Sequence, residues 1–404
     1  MGSQQASHLR CSGPCALFCL ALLATRQSYF PPARVPHMTH VRTTRRWLRR
    51  STALVAVASL VALSASSSVS LASTSTKATS PRAAHGTASV ACAGSLLKLY
   101  YDTLGPAFKK ATGDAYGGPP CAGSLALAQE ILSKEINPGA FLAIGAHAIK
   151  ELFPAVRSKF AMAIAADPLV IGFSKKSRYY SQLNAIKTGK QPLSDLFTLF
   201  TKKGFRLGRT DPTQDPQGIF FILFAKLAQN VLPLYKGEAA KALGITKTSP
   251  YGSKSQIYDE TALPTDIATG IVDAGSEYLP EAKQYGLDYI SLPPTLSFSS
   301  PAEAKRYATV SLKVNGSVQT GEVIYLNTTL VLPAKGTSFP PADEAADQAF
   351  VGFMLMSKAR AALAHVGYSL RRPLVVLAPG VTLAQALPPA ILSLFHSLGG
   401  RVTS

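Results

Sequence analysis

The sequence predicts an α/β protein of two lobes, each built on a mostly parallel sheet flanked by helices. Three observations predict it. Strand-like and helix-like segments alternate from residue 88 onward, the pattern of β–α units. The chain has 404 residues, 47% apolar and 16% charged, enough to bury more than one core. Two strand-to-helix junctions carry the same word, Cys92-Ala93-Gly94-Ser95-Leu96 and Cys121-Ala122-Gly123-Ser124-Leu125. A Ser preceded by Gly at a helix start offers a capping hydroxyl and leaves the first-turn N–H groups facing outward, where a small oxyanion can use them.

The elements follow in order. Residues 88–93 form a short apolar strand. Residues 95–112 place Leu96, Leu99, Tyr100, Leu104 and Phe108 at helical spacing and stop at Gly113. A second helix spans 124–135 and ends at Asn137-Pro138-Gly139. Residues 141–144 read as a buried strand and 149–153 as a short helix. Two apolar strands, 161–165 and 169–173, are split by Asp167-Pro168, and 193–200 read as a helix. Phe205-Arg206-Leu207 then leads through Asp211-Pro212-Thr213-Gln214-Asp215-Pro216-Gln217-Gly218 into the strongly apolar 219–227: strand, tight loop, buried helix. A helix at 262–269, a strand at 286–292, a β-rich run at 323–332 and a long helix at 343–364 complete the pattern. The tail from Ser369 is rich in Pro and Leu and carries no assignment.

Charge and cysteines narrow the function classes. The formal net charge is +19, but residues 1–72 hold eight Arg, no Lys and no acidic residue. From Ser73 the chain carries 33 basic and 22 acidic residues, a net +11. It has no dense Lys/Arg stripe with interleaved aromatics, which argues against a nucleic-acid partner. A diffuse positive surface suits small anions. Arg42, Arg45, Arg46, Arg49 and Arg50 precede an apolar run at 53–63 and small residues up to Leu71-Ala72. That is an export signal, too short for a good membrane span. It is complete from Met38, so 1–37 read as an upstream extension, 38–72 as the signal and 73–87 as a Ser/Thr/Ala tether; the other reading is one long leader with two apolar patches. Beyond the leader only Cys92 and Cys121 remain. In an exported protein a lone pair reads as one disulfide, which would pin the two Ser loops side by side; the other reading is two buried thiols. Enzyme signatures are missing: no G-x-S-x-G, no phosphate loop with Lys, no H-E-x-x-H. His85, His147, His365 and His396 are scattered, and neither Ser95 nor Ser124 has a signalled base partner.

With the Ser loops, the D-P-x-x-D-P-x-G loop at 211–218 and Glu277-Tyr278-Leu279 in view, the chain resembles the molybdate/tungstate-binding proteins of ABC importers, in their tungstate-type branch. Further matching pieces are 161–173, Lys226-Leu227-Ala228, Tyr289-Ile290-Ser291-Leu292-Pro293 and 350–367, so most of 88–368 is covered. The resemblance implies a two-lobed periplasmic-binding-protein type II fold with its ligand in the cleft between lobes. Lobe 1 would comprise 88–166 and a return at 324–368, lobe 2 would comprise 167–323, and 369–404 would be a C-terminal extension. It implies that Ser95 and Ser124 hydrogen-bond the oxo groups, that Asp215 and Glu277 reach the metal of the oxyanion, and that Tyr278 supports them. Asp215 is preferred to Asp211 because it lies three residues before Gly218, which opens the next helix; Asp211 shapes the turn. The resemblance further implies an exported, extracellular or periplasmic, surface-associated monomer. Such a protein has no catalysis and no resident cofactor; it hands molybdate or tungstate to an ABC permease. Cys92 stands where relatives commonly carry an aromatic residue or His, so the disulfide belongs to this subgroup. A receptor of the same fold for an iron-type cation, or for sulfate or phosphate, is the alternative.

Two carboxylates beside an anion repel it. At about 4 Å and an effective dielectric near 20, each unit-charge contact costs about 4 kcal/mol before compensation. Sulfate and phosphate gain nothing in return. A high-valent molybdenum or tungsten centre expands its shell and takes hard carboxylate oxygens as ligands, so four oxo groups and two carboxylates give six-coordination.

Overall fold

The computed structural model describes residues 85–232 and 239–403, all within the compact unit Lys77–Ser404. The expected extension, signal and most of the tether lie outside the described residues.

Two sheets organise the chain. The larger runs β13-β12-β4-β11-β3-β1-β2, with β1 Thr87–Cys92, β2 Ala115–Gly117, β3 Ala140–Ile144, β4 Phe160–Ala166, β11 Tyr325–Leu330, β12 Ser369–Leu377 and β13 Arg401–Thr403. The smaller runs β6-β7-β5-β8, with β5 Leu169–Phe173, β6 Leu207–Gly208, β7 Ala274–Tyr278 and β8 Asp288–Ser291. A separate hairpin pairs β9 Ser311–Val314 with β10 Ser317–Thr320. Its turn is Asn315-Gly316, with φ of 49° and 84°, the left-handed pair that a two-residue hairpin needs.

The sheets are mixed rather than mostly parallel. Among the described residues, only β1–β2, β1–β3, β12–β13 and β6–β7 are parallel strand pairs. The reason is the double crossover between the lobes. The chain leaves the larger sheet after β4 and returns as β11, which inserts between β3 and β4 antiparallel to both. The outgoing and returning segments are stitched together, Asp167 N–H donating to the Ile324 carbonyl at 2.9 Å. Asp167-Pro168 therefore marks the passage between the lobes.

Three elements differ from the pattern read in the sequence. Helix 95–112 is not uniform: a π turn at Tyr100–Leu104 separates the turns after Gly94 from Gly105–Thr112. Pro106 lacks an N–H, and Gly105 N–H reaches back five residues to the Tyr100 carbonyl. The long helix at 343–364 is two, Pro341–Phe353 and Ser357–Val366, bent by 57°. Met356 is extended at the break, and Met354 and Leu355 are buried there. The unassigned tail, expected as an extension at 369–404, belongs to the larger sheet. β12 pairs antiparallel with β4, β13 adds beside it, and helix Pro389–Ser397 packs on helix Pro341–Phe353, with Ile391 beside Gly352 and Phe395 buried.

Helix Pro216–Val231 is apolar nearly all round and buried along most of its length. Its Phe224 stacks on Phe197 at 5.6 Å, which fixes the helix and hence the loop that precedes it.

Cys92 and Cys121 form a disulfide with a Cα separation of 4.7 Å. The bond ties the end of β1 to the second Ser loop across 29 residues of sequence. Closing a loop of that length in the unfolded chain is worth about 3–4 kcal/mol. The Cys92→Ser/Cys121→Ser double variant is expected to lose that amount in urea unfolding. Coincident unfolding curves would contradict it.

Candidate functional site

The two Ser loops lie side by side. Ala93 bridges Ala122 in parallel, Gly94 N–H donates to the Ala122 carbonyl at 3.0 Å, and Ala122 N–H donates to the Cys92 carbonyl at 3.2 Å. The hydroxyls do not cap their helices, contrary to the sequence-based expectation. Ser95 Oγ is buried with no hydrogen-bond partner. Ser124 Oγ accepts from Ile144 N–H at 3.2 Å, which leaves its own proton to donate elsewhere. The helix donors are met by backbone and by a distant side chain instead. Leu125 and Ala126 N–H share the Gln214 carbonyl at 3.0 and 3.1 Å. Gly94 and Ser95 N–H donate to Glu260 Oε2 and Oε1, each at 3.0 Å.

The loop at 211–218 does what its residue types suggest. Asp211 Oδ1 accepts from Thr213 N–H and from its hydroxyl, at 2.8 and 2.7 Å, and so shapes the turn. Asp215 caps helix Pro216–Val231, Oδ1 accepting from Gln217 N–H at 3.1 Å with Pro216 in the first turn. One carboxylate oxygen thus serves the helix. The other, Oδ2, is buried without a partner. Gly123 packs so closely on this loop that a Cβ there would stand 2.4 Å from the Gln214 carbonyl oxygen and 3.2 Å from Asp215 Cβ.

Glu277 and Tyr278 end β7, both fully buried. Neither carboxylate oxygen of Glu277 has a hydrogen-bond partner, nor has the Tyr278 hydroxyl. Glu281, in helix Leu279–Gln284, accepts from Gln217 Nε2 at 3.3 Å, and Gln217 Oε1 accepts from Ser276 Oγ at 3.2 Å. Gln217 thus ties the Asp215 loop to β7. Asp215, Glu277 and Tyr278 are close enough to one another and to Glu260 to interact electrostatically, and the Ser95 turn reaches them through Glu260, whereas the Ser124 hydroxyl faces the end of β3 at Ile144. Sequence reasoning missed Glu260, Glu281, Gln217 and Asp167. Glu260 follows Asp259, whose Oδ1 accepts from Thr261 N–H and its hydroxyl at 2.9 and 2.6 Å. The repeated D-x-T turn, at 211–213 and 259–261, was a signal for it. A cavity of about 180 Å³ opens beside Asp215 and Glu260, lined also by Cys121, Gly123, Thr210 and Tyr258.

Among the described residues no Lys or Arg is paired with these acids, so burial dominates their ionisation. Burial pushes the Asp215 carboxyl up to about 7 and that of Glu277 to about 8. Glu260, Glu281 and Asp167 are also raised well above the usual carboxylate range by burial. Neighbouring carboxylates add to the shift at Glu260 and Glu281, while the Ser95 and Gly94 N–H groups oppose it at Glu260. Near neutral pH Asp215 and Glu277 are therefore within reach of both protonation states: protonated they donate hydrogen bonds, and ionised they offer hard oxygen ligands.

The family model for bacterial extracellular solute-binding proteins matches residues 88–369. The chain belongs to that family. It is 28% identical over 249 residues to an uncharacterized solute-binding protein of Saccharolobus solfataricus, covering 58% of this chain and 59% of the relative. It is 27% identical over 184 residues to the molybdate/tungstate-binding protein WtpA of Pyrococcus abyssi, covering 41% of this chain and 49% of the relative. The chain thus spans about half to three-fifths of the length of these curated relatives. Among solved structures, the periplasmic molybdate-binding protein of Azotobacter vinelandii aligns over 71% of this chain and 100% of its own, with a TM-score of 0.42 and 15% identity. The matched 88–369 of this solute-binding protein contains every site residue described above and stops short of most of β12 and all of β13.

The raised acids make stability fall with pH. Unfolded carboxyls release their protons near pH 4, whereas the folded cleft keeps those of Asp215 and Glu277 up to about 7 and 8. Between those values the native state binds more protons, so each rise in pH destabilises it. The melting temperature without added anion is expected to drop by about 5 °C or more from pH 5 to 8.5, and Glu277→Gln to flatten the slope. A melting temperature that rises over this interval would contradict it.

Proposed function

We propose that this solute-binding protein captures a tetrahedral oxyanion of molybdenum or tungsten in the cleft and delivers it to the permease of an ABC importer, acting after export. The observation that carries the reading is the pairing of two donor loops with two buried acids that have oxygens to spare. Asp215 Oδ2 and both oxygens of Glu277 make no hydrogen bond of ordinary geometry, with only the Thr210 hydroxyl beside Asp215 and the Glu281 carboxyl beside Glu277, and Ser95 Oγ is a buried donor with none. The serines would hold oxo groups. Asp215 and Glu277 would enter the shell of the metal, an option that sulfate and phosphate do not offer. The name of the Pyrococcus abyssi relative supports the same ligand class. The protein's role is binding, with the two crossovers at Asp167 and Ile324 as the hinge on which the lobes close.

Calorimetric titration with tungstate, molybdate, sulfate, phosphate and ferric citrate tests this. Tungstate and molybdate are expected to bind, and sulfate and phosphate to bind at least about a hundredfold more weakly, a difference of about 2.7 kcal/mol. Binding of ferric ion alone would instead favour a cation receptor, and sulfate binding alone would refute the carboxylate argument. Asp215→Asn keeps a capping oxygen and Glu277→Gln keeps the side-chain shape. Each is expected to weaken tungstate binding by about tenfold or more while leaving the fold intact. Unchanged affinity in both would remove these residues from the site.

A further inference from the structure

Glu260 belongs to one lobe and is held by the other. It precedes helix Leu263–Thr269, which packs on the smaller sheet through the buried Leu263 and Ile267. Its loop is laced to the strand end after β6. Arg209 N–H donates to the Gln256 carbonyl at 2.8 Å, and Tyr258 N–H donates to the Arg209 carbonyl at 2.9 Å. Its carboxylate nevertheless takes the Ser95 N–H of the larger lobe on one oxygen and, on the other, shares the Gly94 N–H with the Ala122 carbonyl, each contact at 3.0 Å. The seat is close-fitting: a Cβ on Gly94 would stand 2.5 Å from Glu260 Oε2 and 2.7 Å from Cδ. Glu260 is 6% exposed. The unpartnered hydroxyl of Ser95 lies on the same turn.

Successive N–H groups converging on a carboxylate form the same nest that binds an inorganic oxyanion. A carboxylate oxygen and an oxo oxygen make the same demand on an N–H, and the nest has two N–H groups for one occupant. We propose that Glu260 is an internal competitor for the oxyanion: it fills the Gly94–Ser95 nest and clasps the lobes together until an incoming anion displaces it. This rests on the oxyanion reading above. Glu260 thereby sets an affinity threshold common to all anions, because each gains only the difference between its own hold on the nest and that of Glu260. An anion that uses the nest alone exchanges one acceptor for another. An anion that also gains ligands from Asp215 and Glu277 displaces Glu260 with net benefit. The affinity measured is the intrinsic affinity multiplied by the fraction of protein in which the nest is free.

The test uses Glu260→Ala and Glu260→Gln in the full chain, with two readouts. Tungstate and sulfate titrations are expected to show Glu260→Ala binding both anions about tenfold more tightly than wild type, with the ratio between them unchanged. Glu260→Gln should move in the same direction but less far, because its amide keeps one acceptor oxygen and sets its NH2 group against the other nest donor. Small-angle scattering without added anion is expected to give a larger radius of gyration for Glu260→Ala than for wild type. If wild type binds tungstate and Glu260→Ala binds it less tightly, Glu260 is a ligand-holding residue and the competitor proposal falls. Equal affinities and equal radii would also overturn it, leaving the oxyanion reading in place. If neither wild type nor either variant binds any oxyanion, the oxyanion reading itself fails, and the competitor with it. Binding that appears only in the variants would support the competitor most strongly.

Discussion

Carboxylates buried without cations dominate this molecule. Asp167, Asp215, Glu260, Glu277 and Glu281 are each 6% exposed or less, and among the described residues none is in an ion pair. Removing a charge from water is costly unless donors replace the water or a proton neutralises the charge. Both remedies are used. Glu260 receives two backbone N–H groups, Asp215 receives one from its helix, and Glu281 receives the Gln217 amide. Glu277 and Asp167 receive no backbone or amide N–H, Glu277 having only the Glu281 carboxyl beside it, and burial drives their carboxyls upward. The lobes are arranged around this problem. The larger lobe supplies N–H donors on two disulfide-linked loops; the smaller lobe supplies most of the acids.

The same constraint explains the glycines at the contact. Gly94 and Gly123 let backbone come within hydrogen-bonding distance of Glu260 and of the Gln214–Asp215 peptide, where any Cβ would intrude. They are required for close approach rather than for an unusual φ. The repeated Cys-Ala-Gly-Ser-Leu word is therefore a device for presenting N–H groups, and its serines serve as free or partly free hydroxyls instead of caps. The cysteines hold the two copies in register.

Much of this was legible in the sequence because it is local. The strand–loop–helix at 205–227 follows from Pro, Asp and Gly placement, and the division of labour between Asp211 and Asp215 follows from which one immediately precedes the helix. The split of strands at Asp167-Pro168 is local too. What was not legible depends on tertiary arrangement. The antiparallel entry of β11 arises from the second crossover, which no local pattern records. The tail after Ser369 lacks clean alternation because β12 lies between β4 and β13, with a register shift between Leu370 and Leu374. Glu260 carries no signal of its destination, since its partners are 165 and 166 residues away.

The central claim is that Asp215 and Glu277 join the coordination shell of the captured metal. X-ray absorption at the tungsten or molybdenum edge, on the protein loaded with one equivalent of oxyanion, tests it most directly. The account predicts four short metal–oxygen distances and two longer ones, with the longer set lost in the Asp215→Asn/Glu277→Gln double variant. A spectrum of an unperturbed tetrahedral oxyanion in the wild-type protein would contradict it.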